Sequence, residues 1–235
     1  MLFVSVQYLG KIEAILFDLD GTLVDSLPDL HFGIEQVLRK WHLASMSEEE
    51  VGRYIGKGVV NLAQRVLQAR LPEAGEEEIQ KFTRDYVNAL SVSGNTHTRL
   101  MPTVKESLAA LRADGIPLAL VTNKAGALIG DVLKKTELEE FFPENLRISP
   151  DGGLSPKPAP DMLLLASRRL GVAAGQCAMF GDSRNDALAA RAAGMQSVLV
   201  RTGYNEGVPI DRWASENGFS AIFDNIGEAL KQMRR

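Results

Sequence analysis

The sequence has a single cysteine, no long apolar run and no strong excess of charge of either sign. Cys177 is the only cysteine among 235 residues, so the chain can form neither an internal disulfide nor a multi-cysteine metal site. No apolar segment approaches the roughly 18–20 residues that cross a bilayer. The net charge of −4, from 26 basic and 30 acidic residues, provides no global field for nucleic acid. We therefore expect a cytoplasmic protein without membrane or nucleic-acid partners.

The pattern of apolar runs predicts an α/β fold. Short apolar segments bounded by glycine or polar residues alternate with helical patterns, and they lie at residues 12–17, 117–122, 177–180, 197–201 and, more weakly, 146–149. Strands that alternate with helices are typical of a doubly wound, mostly parallel sheet. Thr103 and Glu106 predict a capping box, and Gly115 predicts the end of the same helix. Residues 1–6 are apolar but lack a basic flank, which favours a leader or an additional strand over a secretion signal.

Residues 27–93 break this alternation because they carry helix signals only. In the last of four predicted helices, Ile79, Phe82, Tyr86 and Leu90 share one face. Four successive helices without a strand favour a helical unit inserted into the α/β domain. We expect a core of residues 1–26 and 94–235 and a helical cap of residues 27–93. The alternative is that these helices pad the core of a single domain.

Polar side chains collect where the predicted strands end. Asp18 and Asp20 follow the first strand, Thr122 and Asn123 follow the second, and Asp182 follows a later one. Each of them alone is typical of a turn or a helix cap. Ligands bind at the carboxyl ends of strands in open parallel sheets, so together these residues predict one site.

The residue types at these ends favour phosphoryl transfer with a hard metal ion. Acids brought together repel one another unless a cation or a proton intervenes, and an all-oxygen ligand set suits Mg²⁺. Asp18 and Asp20 point to one side of an extended chain, whereas Asp182 and Asp186 face the same way on a helix. Lys157 lies among three prolines, which predicts a positioned cation that can neutralise phosphoryl oxygens.

Four segments resemble, in order, the four motifs of the haloacid dehalogenase (HAD) superfamily. They are Phe-Asp-Leu-Asp-Gly-Thr-Leu-Val-Asp-Ser at 17–26, Val-Thr-Asn-Lys at 121–124, Lys-Pro-Ala-Pro at 157–160 and Gly-Asp-Ser-Arg-Asn-Asp at 181–186. The helical insert lies where that superfamily places a small cap. Within it the chain is most similar to bacterial phosphoglycolate phosphatases, with further resemblance at 25–30, 55–58 and 203–205.

The resemblance implies a Mg²⁺-dependent phosphatase that hydrolyses 2-phosphoglycolate to glycolate and phosphate through an aspartyl-phosphate. Asp18 would be the nucleophile and a metal ligand. Asp20 would donate a proton to the leaving oxygen, then accept one from water, with its backbone carbonyl on the metal. Asp182 would be the other direct carboxylate ligand, and Asp186 would support the metal's water shell or Lys157.

The same resemblance assigns the phosphoryl group to Thr122, the Asn123 N–H and Lys157. The choice of substrate is expected to come from the cap, where Gly56 and Lys57 at a helix start offer N–H groups and an ammonium for the carboxylate. Lys57 is equally compatible with a solvated loop lysine. Arg65 is another candidate, although a solvated position is more typical of it.

Other functions remain open at this level. The same residues suit a phosphatase for another small phosphomonoester or pyrophosphate, or a sugar-phosphate mutase. A receiver-like binding module phosphorylated on aspartate is about half this length and has no inserted helices. A nucleotide-binding dehydrogenase is excluded because no Gly-x-Gly-x-x-Gly follows the first strand and no P-loop motif occurs. The oligomeric state, monomer or dimer, is left open.

Overall fold

The structure is a computed structural model that describes residues 12–233. Within this part of the chain the strands are β1 Ala14–Phe17, β2 Val24–Asp25, β3 Arg99–Leu100, β4 Leu118–Val121, β5 Arg147–Ile148, β6 Cys177–Gly181, β7 Gln196–Val200 and β8 Ile222–Phe223. The α-helices are α1 Leu27–Lys40, α2 Glu48–Gly52, α3 Gly58–Arg70, α4 Glu76–Ser93, α5 Val104–Ala113, α6 Ile129–Lys135, α7 Asp161–Leu170, α8 Arg184–Ala193, α9 Ile210–Asn217 and α10 Ile226–Met233. The leader or additional strand predicted at residues 1–6 lies outside the described residues.

Six strands form one parallel sheet in the order β5-β4-β1-β6-β7-β8. Helices cover both faces, which confirms the predicted doubly wound α/β fold. Strands β2 and β3 pair with each other in a separate antiparallel ribbon. The sequence analysis missed β2, β3 and β8 because two residues are too few to show any alternation of apolar and polar side chains.

Alternation along the central strand divides the hydrophobic core of the sheet into two layers. Ile15 and Phe17 of β1 pack with residues of α5, α6 and α10 on one face. Ala14 and Leu16 pack with residues of α7 and α8 on the other. All four side chains are buried, as expected for a strand covered on both sides. Because β1 is packed on both sides, it holds the residues that directly follow it, which begin with Asp18, in a fixed position.

Helices α1 to α4 have a hydrophobic cluster of their own. Phe82 and Tyr86 of α4 are fully buried there, Leu90 is nearly so, and Ile34 of α1 packs against them. The predicted apolar face of α4 is thus the face that the cluster buries. The assignment of residues 27–93 as a separate cap domain stays a prediction. No helix among residues 12–233 combines the length and apolar character needed to span a membrane.

The predicted capping box of Thr103 and Glu106 is wrong. Thr103 has φ +65°, and its side chain makes no capping hydrogen bond to α5. A capping side chain reaches the helix from an extended backbone, and the left-handed conformation turns this one away. Its hydroxyl instead donates to Asn225 Oδ1 at 3.1 Å and accepts from the N–H of Gly227 at 2.9 Å. Gly115 follows the end of α5 with φ +71°, as predicted.

Candidate active site

Three neighbouring strand ends bring the predicted polar residues to one cavity, called the site cavity below. Asp18 directly follows β1, Thr122 follows β4 and Asp182 follows β6. In the sheet, β1 lies between β4 and β6. The predicted site residues that line the cavity are Asp18, Asp20, Gly56, Thr122, Asn123, Lys157, Asp182 and Asp186. Lys57 does not line it. The convergence expected from the sheet topology is present, and the catalytic roles stay predictions.

Lys157 is a buried cation with every proton in use. Its Nζ donates to Asp18 Oδ1 at 2.7 Å, to Asp186 Oδ1 at 2.6 Å and to the carbonyl of Val121 at 2.7 Å. Asn123 accepts from the N–H of Lys157 at 2.8 Å and donates to its carbonyl at 2.9 Å. Burial alone would lower the pKa of Lys157, but the two carboxylates outweigh burial and raise it. The ammonium is therefore fixed beside Asp18.

Three buried carboxylates form a cluster that can hold a metal ion. One oxygen each of Asp18, Asp182 and Asp186 lies within 4.8 Å of the others. Burial raises the pKa of Asp18 to about 7, with Lys157 acting against it. Burial and the charges of Asp186 and Asp18 raise the pKa of Asp182 well above its ordinary range. A divalent cation among these oxygens would relieve both the burial of charge and the repulsion.

Asp182 is held in one orientation by its surroundings. Its Oδ1 accepts from the Thr22 hydroxyl at 3.0 Å, and its Oδ2 accepts from the N–H of Tyr204 at 2.9 Å. Gly21 and Gly203 pack directly on the carboxylate, and a Cβ at either position would overlap it. The sequence analysis named neither glycine as a determinant of the site, although both lie within the segments that carry the resemblance.

Asp20 lies in the same cavity but outside the acidic cluster. Its Oδ1 accepts from the Ser26 hydroxyl at 2.5 Å, and both its oxygens contact Lys124 Nζ, at 3.0 and 3.2 Å. The Asp20 carboxylate is thus paired with Lys124 and is not part of the cluster of Asp18, Asp182 and Asp186. Lys124 was quoted in the second motif without any role, and it is 5% exposed and lines the cavity. The position of Lys124 directly after Thr122 and Asn123 was the feature of the sequence that could have identified it as a cavity residue.

The helical segment closes the cavity with backbone polar groups and apolar side chains. The carbonyl of Gly56 accepts from Asn123 Nδ2 at 3.0 Å and from Asn185 Nδ2 at 3.2 Å. A Cβ at Gly58 would lie 2.9 Å from the carbonyl oxygen of Asn123, so only glycine permits this approach of α3. These contacts place the start of α3 beside the strand ends.

Lys57 does not line the site cavity, and its predicted use as a substrate contact stays a prediction. Its Nζ lies 3.7 Å from Glu206 Oε2, and its side chain is 43% exposed. Arg65 lies 3.2 Å from the same oxygen, and Arg184 lies 2.7 Å from it. Glu206, which the sequence analysis missed, attracts these cations because its own carboxylate is buried and would otherwise lack a counter-charge.

Comparison with known proteins agrees with this geometry. A model of the haloacid dehalogenase-like hydrolase family matches residues 12–194. A phosphoglycolate phosphatase of Nitrosospira multiformis is 37% identical over 229 residues, which cover 95% of this chain and 96% of the relative. The phosphoglycolate phosphatase of Escherichia coli K12 is 36% identical over 217 residues, or 85% of each chain.

Solved structures give the same result. The crystal structure of a predicted phosphoglycolate phosphatase from Haemophilus somnus 129pt superposes with a TM-score of 0.86 at 33% identity, covering 94% of this chain and 98% of that chain. The family model spans all four motifs, so the resemblance seen in the sequence is confirmed. The chain belongs to the haloacid dehalogenase-like hydrolase family, and it is an enzyme of the phosphoric monoester hydrolase type.

Proposed function

We propose that this enzyme is a Mg²⁺-dependent phosphatase that converts 2-phosphoglycolate into glycolate and phosphate through an aspartyl-phosphate on Asp18. The observation that carries the proposal is the position of Asp18, which shares the site cavity with Asp182 and Asp186 and receives a hydrogen bond from Lys157. Relatives named phosphoglycolate phosphatase, which are 35–37% identical, support the choice of substrate.

The donor set fits Mg²⁺. The carboxylates of Asp18, Asp182 and Asp186 are hard oxygen ligands that lie close enough to share one ion. We assign these three carboxylates to the metal, together with the backbone carbonyl of Asp20. When bound, Mg²⁺ supplies neutralisation of the charge that develops on the phosphoryl oxygens. Asp18 must be ionised to act as a nucleophile, and a cation held by these carboxylates would favour that form.

Two aspartates divide the covalent chemistry. Asp18 attacks phosphorus, the bond between phosphorus and the ester oxygen breaks, and Asp20, which must be in its protonated form for this step, donates that proton to the glycolate oxygen. Asp20 then accepts a proton from water, whose oxygen attacks phosphorus and breaks the bond to Asp18. Phosphate leaves and both carboxyl groups return to their initial forms.

The remaining residues hold the phosphoryl group in line with Asp18. We assign the hydroxyl of Thr122 and the N–H of Asn123 to the phosphoryl oxygens. Lys157 contributes its charge while it keeps Asp18 oriented through the hydrogen bond of 2.7 Å. Such preorganised donors stabilise the transition state without having to reorganise during the reaction.

We further propose that the enzyme acts in the cytoplasm, with a small phosphorylated acid as its partner and without nucleic-acid or membrane partners. The net charge of −4 and the lack of cysteines other than Cys177 support this assignment. Neither feature depends on the identity of the substrate.

The deciding experiment measures phosphate release from a panel of 2-phosphoglycolate, other small phosphomonoesters, pyrophosphate and sugar phosphates, with Mg²⁺ or with EDTA. We expect 2-phosphoglycolate to give the highest kcat/KM, and only with Mg²⁺. Asp18→Asn should abolish turnover, whereas Asp131→Asn, an exposed position on α6, should leave it unchanged.

The other possible outcomes of this experiment would each indicate a different substrate or function. A higher kcat/KM for another ester or for pyrophosphate would contradict the substrate while keeping the enzyme class. Retention of phosphate on a sugar, with activation by a bisphosphate, would indicate a mutase. Stable phosphorylation of Asp18 without phosphate release would indicate a receiver-like module.

A further inference from the structure

A substrate with a carboxylate beside its phosphate needs a second cationic contact in the site cavity. The helical segment does not supply it: among the described residues that line the cavity, those from this segment are Leu30, Ile55, Gly56, Gly58, Val59 and Leu62. Apart from the backbone groups near Gly56, that wall is apolar. The charged contact must therefore come from the core.

Lys57, directly before α3, and Arg65 of α3 are already engaged elsewhere. Lys57 and Arg65 both lie on Glu206, at 3.7 and 3.2 Å from its Oε2. The Glu206 side chain is 1% exposed, so moving either cation away would leave this buried carboxylate less well neutralised, with Arg184 still paired to it. Drawing either cation into the cavity would therefore cost free energy.

Two lysines line the site cavity, and only one of them has donor capacity left. Lys157 uses its three ammonium protons on Asp18, Asp186 and the Val121 carbonyl. The Lys124 ammonium contacts the two oxygens of Asp20, and no other acceptor lies on it within residues 12–233. An ammonium has three protons, so Lys124 can donate to a further anion.

We propose that Lys124 binds the carboxylate of the substrate and is the residue that selects phosphate esters with a second anionic group. This inference rests on the proposed phosphatase function of the same cavity. A substrate carboxylate on Lys124 shares the ammonium with Asp20 and weakens their ion pair. Asp20 is then free to turn towards the ester oxygen. Lys124 would thus couple recognition of the substrate carboxylate to the freeing of Asp20 from its ion pair.

The test compares 2-phosphoglycolate with 2-hydroxyethyl phosphate, which has a hydroxymethyl group in place of the carboxylate. Lys124→Met and Lys124→Gln should lower the ratio of kcat/KM for the two substrates about 10- to 100-fold, mainly through KM for 2-phosphoglycolate. Lys124→Arg keeps the charge and should keep part of the preference. Lys134→Met is the matched control and should leave the ratio within about twofold, since that lysine is exposed on α6 and does not line the cavity.

The outcomes separate this inference from the function on which it rests. Equal losses for both substrates in the Lys124 variants would mean that Lys124 acts through Asp20 alone, which overturns the inference. A wild-type preference for 2-phosphoglycolate that Lys124→Met leaves intact also overturns it, without affecting the proposed function. A wild-type enzyme with no such preference contradicts both. Thermal melting of each variant checks folding, and Lys124→Arg decides the question if the neutral variants do not fold.

Discussion

Glu206 and Arg65 form an ion pair between the core and the helical segment, with Arg65 Nη1 3.2 Å from Glu206 Oε2. Glu206 lies in the loop after β7, and Arg184 of α8 approaches the same oxygen at 2.7 Å. Burial alone would raise the pKa of Glu206, but Arg184, Lys57 and Arg65 outweigh burial and lower it. This buried carboxylate therefore fastens α3 to the core beside the site cavity.

We expect Glu206→Gln to lower the free energy of unfolding at pH 7 by about 3 kcal/mol, because three cations then face one another without a counter-charge. The pKa of Glu206 is depressed in the folded state, so its contribution is present above the ordinary value of 4.5 and is lost as the pH falls through the folded value. Urea denaturation at pH 7 and pH 4 measures both effects.

The matched control for Glu206 is Glu49→Gln. Glu49 pairs with Arg53 on the surface at 2.6 Å, and its side chain is 81% exposed. An exposed pair contributes less than about 1 kcal/mol, so this variant should unfold almost as the wild type does. Equal stabilities of the two variants would contradict the role of Glu206.

A second prediction concerns Asp29, which joins the start of α1 to the chain that returns from α4. Asp29 is 1% exposed, and its carboxylate accepts from the Thr98 N–H at 2.5 Å, the Thr98 hydroxyl at 2.7 Å and the His97 N–H at 3.0 Å. Asp29→Asn should cost about 2 kcal/mol at pH 7, since an amide places donors against these donors. Asp131→Asn is the exposed control.

The pH dependence of the Asp29 effect has a defined sign. Burial alone would raise the pKa of Asp29, but the hydrogen bonds from Thr98 and His97 outweigh burial and lower it below 3.8. Its stabilisation is therefore complete well above pH 3.8 and disappears as the pH falls below that value. Denaturation curves of wild type and Asp29→Asn should converge in acid, and a difference that is constant with pH would contradict this account.

A third prediction concerns metal removal and Asp182. Its pKa is raised by burial and by neighbouring carboxylates, so in the metal-free protein the ionised group costs stability as the pH rises above 3.8. In EDTA at pH 8, Asp182→Asn should melt no lower than the wild type. Added Mg²⁺ should raise the Tm of the wild type by several degrees and that of the variant much less. Equal Mg²⁺-dependent increases in calorimetry would rule out Asp182 as a ligand.

A fourth prediction separates the two roles of Asp20. In Asp20→Asn the ester oxygen receives no proton, so turnover of 2-phosphoglycolate should fall about 10²- to 10⁴-fold. p-Nitrophenyl phosphate has a leaving group that needs no proton, so the first step should survive while hydrolysis of the aspartyl-phosphate stalls. Stopped-flow absorbance should then show a burst of about one equivalent of nitrophenolate. Asp18→Asn must show no burst, and a burst in that variant would contradict the assignment of the nucleophile.

The sequence was sufficient to predict five of the six strands of the sheet, and most of the predicted site residues line the site cavity. The apolar runs around β1, β4 and β6 are long enough to indicate buried strands, and parallel topology brings their carboxyl ends together. Asp18, Thr122 and Asp182 could therefore be placed at one edge from their positions after those runs. Lys157 joins them although it follows no strand, and its three prolines were the signal for a fixed cation.

Other features depended on contacts between distant parts of the chain. The partner of Lys57 proved to be Glu206, which is 149 residues away, and no local pattern indicates that pair. Thr103 has a capping-box pattern, yet it contacts Asn225 because its backbone is left-handed. The pairing of Lys124 with Asp20 was likewise invisible, since each residue was known only as part of its own motif.

By itself, the sequence determined the fold class and the residues that meet at the strand ends, because apolar runs that alternate with helical patterns predict buried strands of a parallel sheet. The family followed from the resemblance of its four motifs. The tertiary structure alone decided which cation serves which carboxylate. Buried charges must be paired wherever the folded chain brings them, and the choice among Lys57, Lys124 and Arg65 depends on distances that no spacing in the sequence encodes.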